Sequence, residues 1–242
     1  MAIVIIPAYQ PDHELEKIAD QLWQCGNMTV VVDDGSGAAY QEIFEKIQDI
    51  SVVLHHKENQ GKGAAIRTAL HYIHNEVWDQ DVIGIMDADG QHLTEDMQKL
   101  LNEAARFPGA LILGVRKFGK GVPLKSKVGN AMASALFYLI TGKKVSDTQT
   151  GLRAFDMALA ERFRHIPGDR YEYEMNMLTE SCRTGIPVRE VEIHTIYHDK
   201  RNSCSHFRPL QDAIRVLKAE VSGRRKMAGG VNHGKKVIMG HG

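Results

Sequence analysis

Acidic residues are absent from a long stretch of this sequence. Between Glu103 and Asp147 there is none, while Arg106, Arg116, Lys117, Lys120, Lys125, Lys127, Lys143 and Lys144 all fall inside it. The chain as a whole has no such bias, because 30 basic and 30 acidic side chains cancel. Net neutrality gives no bulk attraction to nucleic acid, so the acid-free block points either to a local anion or to a solvated basic face. Cysteine is scarce. Cys25, Cys182 and Cys204 are an odd number without paired spacing, which fits a reducing compartment. Long apolar runs are missing too. The longest mostly apolar one, AMASALFYLI at 131–140, falls short of the roughly 20 residues that span a bilayer. It reads as a core helix or as one resting on a membrane surface. The opening MAIVIIPAYQ has no basic leader and no cleavage site, so it reads as a first strand rather than a signal peptide. No internal repeats occur.

What is present describes one large domain. The 242 residues are 43% hydrophobic and 25% charged, enough to bury a sizeable core. Short β-branched runs (AIVII, MTVVV, SVVLH, VIGIM, ALILGV) alternate with amphipathic segments. The first of these carries Leu15, Ile18, Ala19, Leu22 and Trp23 on one face and ends at Cys25-Gly26. That alternation predicts an α/β fold: a single Rossmann-like, doubly wound, mixed but mostly parallel sheet with helices on both faces. Further helices are predicted over Lys125 to Thr141, across YEYEMNMLTESCRTG, and through Leu210 to Val221. Strands are predicted near GLRAF and in VREVEIHTIY. The domain is expected to span 1–222, with the Gly-, Lys- and His-rich 223–242 as a disordered tail.

Ligands of open parallel sheets bind beyond the carboxyl ends of the strands, so the residues that follow each strand sample the site. Pro7-Ala8-Tyr9 follows the first and Asp33-Asp34-Gly35-Ser36 the second. KENQGKGAA follows the third, Asp87-Ala88-Asp89-Gly90-Gln91 the fourth, and Arg116 the fifth. Charged groups therefore converge on one edge. Asp87 and Asp89 repel each other unless something positive sits between them. With the Gln91 amide oxygen they make an oxygen-rich set for Mg²⁺ or Mn²⁺, hard ions that take the rest of their ligands from water and phosphate. Such an ion bridges a diphosphate and neutralises it as a leaving group. Asp33 and Asp34 read either as a turn into the next helix or as acceptors for a nucleotide base or ribose. NQGKGAA resembles a phosphate loop but lacks the P-loop spacing and the Ser or Thr after Lys62. Its glycines read as permitting close backbone approach to a nucleotide that Lys62 caps or contacts.

VIIPAYQP, VVDDGS, NQGKGAAIRTAL and MDADGQH together resemble the family-two glycosyltransferases with the GT-A fold. GVRKF, KSKVGN, TGKKVSDTQTGLRAF, YEYEMNML and SHFRPLQD are similar to the polyprenyl-phosphate (dolichol-phosphate mannosyltransferase-like) branch, and the resemblance runs in order over residues 1 to about 220. It implies a UDP- or GDP-sugar donor, a divalent metal on the Asp-x-Asp motif, and transfer with inversion. Carried over by position, Asp87, Asp89 and Gln91 hold the metal and donor diphosphate, while Pro7, Tyr9, Asp33 and Asp34 line the nucleotide pocket. Arg116 and Lys127 meet the acceptor phosphate. Arg201, Ser205 and His206 fall where relatives place a mobile loop that closes on the diphosphate.

A hydroxyl acceptor needs a base within hydrogen-bond reach. A lipid phosphate is already ionised and needs only cations that hold it in line with the anomeric carbon. The acid-free block supplies those cations, and 131–140 beside it could rest where a prenyl chain lies. The expectation is a cytoplasmic enzyme, peripheral at the inner membrane face, that moves sugar onto a polyprenyl (dolichyl or undecaprenyl) phosphate. A rival places a base at Glu172 or Glu174 and a sugar or protein hydroxyl as acceptor. Those glutamates lie two apart and share no helical face, and one could pair with Arg170 or Arg153 as plain structure. A third reading is a non-catalytic nucleotide-binding protein; a dead scaffold is expected to lose Asp87 or Asp89, and both are present. His71 and His74 share a helical face without an obvious third ligand and read as surface histidines.

Overall fold

The computed structural model describes residues 1–76, 80–116 and 124–194, except the side chains of 124–129, 132 and 136. The helix expected at 210–221, the domain boundary at 222 and the tail at 223–242 lie outside the described residues.

Strands β1 (Ile3–Ala8), β2 (Met28–Asp33), β3 (Ser51–His55), β4 (Val82–Ile85), β5 (Leu111–Arg116), β6 (Arg153–Asp156) and β7 (Val188–Ile193) form one sheet, ordered β3-β2-β1-β4-β6-β5-β7. Only β6 runs antiparallel to its neighbours, as its pairings with β4 and β5 show. The sheet is therefore mixed and mostly parallel, as the alternation predicted.

Strands β1 and β4 at its centre carry no polar side chain, because both faces are covered. In β1, Ile3 and Ile5 pack with Ala65, Ile66 and Leu70 of α3 (Lys62–Asn75), Phe163 of α6 (Met157–Phe163) and Met177 of α7 (Glu172–Arg183). Val4 and Ile6 point the other way. They meet Leu15 and Ile18 of α1 (Glu14–Gln24), Phe44 of α2 (Gln41–Lys46) and Leu100 of α4 (Thr94–Arg106). The remaining helix, α5 (Leu124–Thr141), buries Ala133 and Phe137 and leaves Tyr138 and Leu139 in solvent. Trp23, expected on the buried face of α1, is half exposed at 49%. It follows Leu22 directly, which turns it off the stripe by the helical repeat.

The strand order reverses between β1 and β4, and this is where an open α/β sheet makes its crevice. The last residues paired there are Ile5 and Ile85. One more bond, from the Met86 amide to the Ile5 carbonyl (3.0 Å), closes the ladder. Beyond it the chain delivers Tyr9 from one side and Asp87 from the other.

A buried carboxylate ties α4 to the end of β7. Asp96 accepts from Lys99 Nζ (2.6 Å) and from the His194 amide (2.7 Å). Burial pushes its pKa up, but those hydrogen bonds outweigh it and hold the group below the ordinary 3.8. A depressed folded pKa contributes stability above the unfolded value, and that stability is lost as pH falls through the folded one. Asp96→Asn should therefore cost on the order of 2 kcal/mol in urea unfolding at neutral pH. The gap from wild type should close as the solution is acidified below the carboxylate range. A gap independent of pH contradicts this.

Candidate active site

The tip of β4 carries Asp87, and the first residue of α3 carries Lys62. Lys62 Nζ lies 2.5 Å from Asp87 Oδ1 and 3.0 Å from Glu174 Oε2, so one ammonium bridges two carboxylates from opposite walls of the crevice. Burial favours neutral lysine, yet Asp87 and Glu174 outweigh it and keep the Lys62 pKa above its usual value. Burial likewise opposes ionisation of Asp87, and the charge of Lys62 prevails, so its pKa is lowered. Both groups are charged.

Asp89 stands further out. Its Oδ1 accepts the Gln91 amide at 3.1 Å. Crowding by the surrounding protein and the negative charge of Asp87 push its pKa up. Among the described residues it has no ion pair. His92 lies behind the pair, with Nε2 4.0 Å from Asp87 Oδ2. Burial lowers its pKa against the pull of the two aspartates. Its buried Nδ1 has no hydrogen-bond partner among the described residues.

The antiparallel strand completes the wall. Ile85 pairs with Arg153, so the start of β6 meets the end of β4. Arg153 is fully buried. It donates to the Glu174 carbonyl through Nη1 (2.6 Å) and lies 3.9 Å from Glu174 Oε1. Gly151 precedes it, and a Cβ there would sit 2.2 Å from Asp87 Oδ2 and 3.0 Å from Lys62 Nζ.

The glycines of NQGKGAA permit a close approach, but to the chain itself. A Cβ at Gly61 would lie 2.4 Å from the Asp169 carbonyl, and one at Gly63 would lie 2.5 Å from Tyr173 Cβ. The Asp169 carbonyl also accepts the Ala64 amide (2.9 Å), covering the start of α3. This packing fixes where Lys62 emerges. Asp34 reinforces it: the buried carboxylate accepts the Gln60 amide (2.9 Å), the Gly61 amide (2.7 Å) and His56 Nδ1 (2.8 Å).

Asp33 does two things. Oδ1 accepts the Ser36 amide (2.8 Å), the turn read from the sequence, and Oδ2 meets His55 Nδ1 at 3.0 Å. Pro7 is buried within β1, and Tyr9 is exposed at its end. Gln91 contributes its amide to Asp89. Arg116 ends β5, and its guanidinium grips Asp147 through Nε (2.6 Å) and Nη2 (3.0 Å). That partner is the acid which closes the acid-free block. Lys127 belongs to α5 with its side chain outside the described residues, as are Arg201, Ser205 and His206. Glu172 accepts the Asp169 amide at 3.3 Å. Sequence reasoning did not place His92, Gly151 or Asp147 in the site. Only TQTGLRAF, where strand β6 begins, carried a signal for Gly151.

The residues fit a divalent ion of one kind. No three His, Cys, Asp or Glu side chains are grouped to enclose a metal among the described residues. Among the described residues, Asp89 has no ion pair, and Asp87 has one oxygen on Lys62 and the other in the space that a side chain at Gly151 would fill. Two carboxylates suit an ion such as Mg²⁺ that draws its other ligands from water and phosphate.

The mixed, mostly parallel seven-stranded sheet has the GT-A glycosyltransferase fold. Residues 3–165 match glycosyl transferase family 2, and the chain belongs to that family. It is 29% identical over 215 residues to a UDP-N-acetylglucosamine–dolichyl-phosphate N-acetylglucosaminyltransferase of Methanococcus voltae, covering 80% of this chain and 85% of that one. It is 30% identical over 209 residues to an undecaprenyl-phosphate mannosyltransferase of Micrococcus luteus, covering 79% and 82%. Among solved structures it resembles glucosyl-3-phosphoglycerate synthase of Mycobacterium tuberculosis in complex with UDP. The TM-score is 0.70 at 16% identity, over 92% of this chain and 80% of that one.

Gly151→Ala tests the close approach of Asp87 to Gly151. The added methyl must displace the Asp87 carboxylate, and misplacing a reacting constellation by about 1 Å costs on the order of a hundredfold in rate. Sugar transfer should fall by that order while the melting temperature moves little. Unchanged transfer contradicts the geometry.

Proposed function

We propose that the protein transfers a sugar, with inversion, from a UDP- or GDP-sugar to a polyprenyl phosphate at the cytoplasmic face of a membrane. The observation that carries this is the state of Glu174. Its carboxylate is held by Lys62 at 3.0 and 3.1 Å, with Arg153 close by. Both of its oxygens already face an ammonium, whereas a hydroxyl acceptor requires a carboxylate oxygen free to reach its proton. A phosphate acceptor requires none. The names of the Methanococcus and Micrococcus relatives, which carry dolichyl and undecaprenyl phosphate, support the same acceptor class.

In this reading Asp87 and Asp89, with Gln91, hold Mg²⁺ or Mn²⁺ and the donor diphosphate. The neighbouring synthase fold was solved with Mn²⁺ and UDP, at a TM-score of 0.64. A divalent ion there neutralises the charge that grows on the departing nucleoside diphosphate. Pro7, Tyr9 and Asp33 line the nucleotide pocket, and Asp34 shapes the loop beside it. Arg116, oriented by Asp147, and Lys127 present the acceptor phosphate in line with the anomeric carbon. Arg201, Ser205 and His206 close on the diphosphate. No helix among the described residues is long and apolar enough to cross a membrane. The exposed Tyr138 and Leu139 of α5, at 54% and 79%, give a surface that rests on the lipid.

The test is a donor screen with short polyprenyl phosphates and with free sugars as acceptors, following release of UDP or GDP. Transfer to polyprenyl phosphate is expected, and at saturating Mn²⁺ and donor it is retained to within about tenfold in Glu174→Gln because no proton is removed by that group. Activity on hydroxyl acceptors alone, abolished by Glu174→Gln, would establish the rival instead. Asp89→Ala should abolish Mn²⁺-dependent nucleotide binding in calorimetry and leave the fold intact.

A further inference from the structure

The charges around Lys62 are nearly matched before any ligand arrives. Lys62 and Arg153 balance Asp87 and Glu174, and Asp89 is left over among these groups. An ion that binds both aspartates must therefore share Asp87 with an ammonium already 2.5 Å away. Two cations on one partly buried carboxylate repel each other, so either the ion is excluded or Lys62 turns aside.

The structure gives Lys62 somewhere to turn. Its Nζ is already within hydrogen-bonding distance of both Glu174 oxygens, at 3.1 and 3.0 Å. Leaving Asp87 exchanges one carboxylate for closer engagement with another, and no bare cation is stranded. The root of the side chain cannot follow, because Gly61 and Gly63 are packed against Asp169 and Tyr173 and the Gly61 amide is held by Asp34. Only the flexible four-carbon stem moves.

Resting on the metal-dependent reading above, we propose that Lys62 is a positioning residue, the resident counter-ion of Asp87. It holds that carboxylate until a divalent cation arrives with the donor diphosphate, and then shifts to Glu174. Metal alone must displace Lys62 with only Asp89 as the uncompensated charge. Metal with diphosphate brings new negative charge that accommodates both cations. The two ligands are thereby coupled, and the coupling is reciprocal. A purely structural Lys62 has no such consequence.

The experiment is Mn²⁺ titration, read by electron paramagnetic resonance of the free ion, on wild type, Lys62→Met and Glu174→Gln. Each is measured alone and with saturating UDP or GDP. Wild type should bind Mn²⁺ weakly alone and about tenfold or more tightly with nucleotide. Lys62→Met should tighten binding of Mn²⁺ alone and shrink the nucleotide effect. Glu174→Gln should do the reverse, since Lys62 then has only Asp87 to hold. If Lys62→Met fails to fold, the weakening in Glu174→Gln decides. Nucleotide-dependent Mn²⁺ binding that neither variant alters overturns the role of Lys62 and leaves the proposed function standing. Absence of Mn²⁺ binding to wild type even with nucleotide overturns both.

Discussion

Two carboxylates on alternate residues at the tip of a strand repel each other, and the one local amide that Gln91 donates to Asp89 does not cancel that repulsion. Lys62 relieves it from the far wall of the crevice, and most of the surrounding architecture serves to put it there. Asp34 ties the loop before α3, the segment at Asp169 covers the start of that helix, and Glu174 holds the ammonium from α7. Removing one member of a buried ion cluster costs about 3–5 kcal/mol, a large share of the roughly 5–15 kcal/mol that holds a domain folded. The same contact therefore bears on folding and, in the function proposed above, on ligand binding.

The antiparallel strand β6 gives the site its asymmetry. An all-parallel sheet delivers only strand ends to the crevice. Here the beginning of β6 arrives at the same edge, bringing Gly151 and Arg153 against Asp87 and Glu174. Arg153 is always charged in practice and has no route to solvent. Its bonds to the Thr150 and Glu174 carbonyls fix the wall that faces Lys62. On the far side, Asp147 fixes Arg116 in the same manner, so the cation proposed for the acceptor has a set direction before any phosphate arrives.

Much of this was legible in the residues. The buried strands announced themselves as unbroken apolar runs, because a sheet covered on both faces needs no polar side. The helices announced themselves by stripes such as Leu15, Ile18, Ala19 and Leu22. Helix α6 was not read: Met157–Phe163 is barely two turns long, too short for periodicity to register. Its start is set by Asp156, whose side chain accepts the Leu159 amide. The direction of β6 was equally hidden, since a short apolar run carries no sign of orientation. Within the site, Asp87 and Asp89 could be read because they sit together at a strand end. The partners of Lys62 could not, because Glu174 lies 112 residues further along. The glycines of NQGKGAA pointed correctly to a close approach, and the fold shows that Gly61 packs against Asp169 and Gly63 against Tyr173.

The most direct measurement is a crystal structure of the protein with Mn²⁺ and a non-hydrolysable UDP- or GDP-sugar. The account predicts an ion on Asp87 and Asp89 touching the diphosphate, with the Lys62 ammonium withdrawn from Asp87 and resting on Glu174. A bound nucleotide with no ion at the β4 tip, and Lys62 still seated on Asp87, would contradict it.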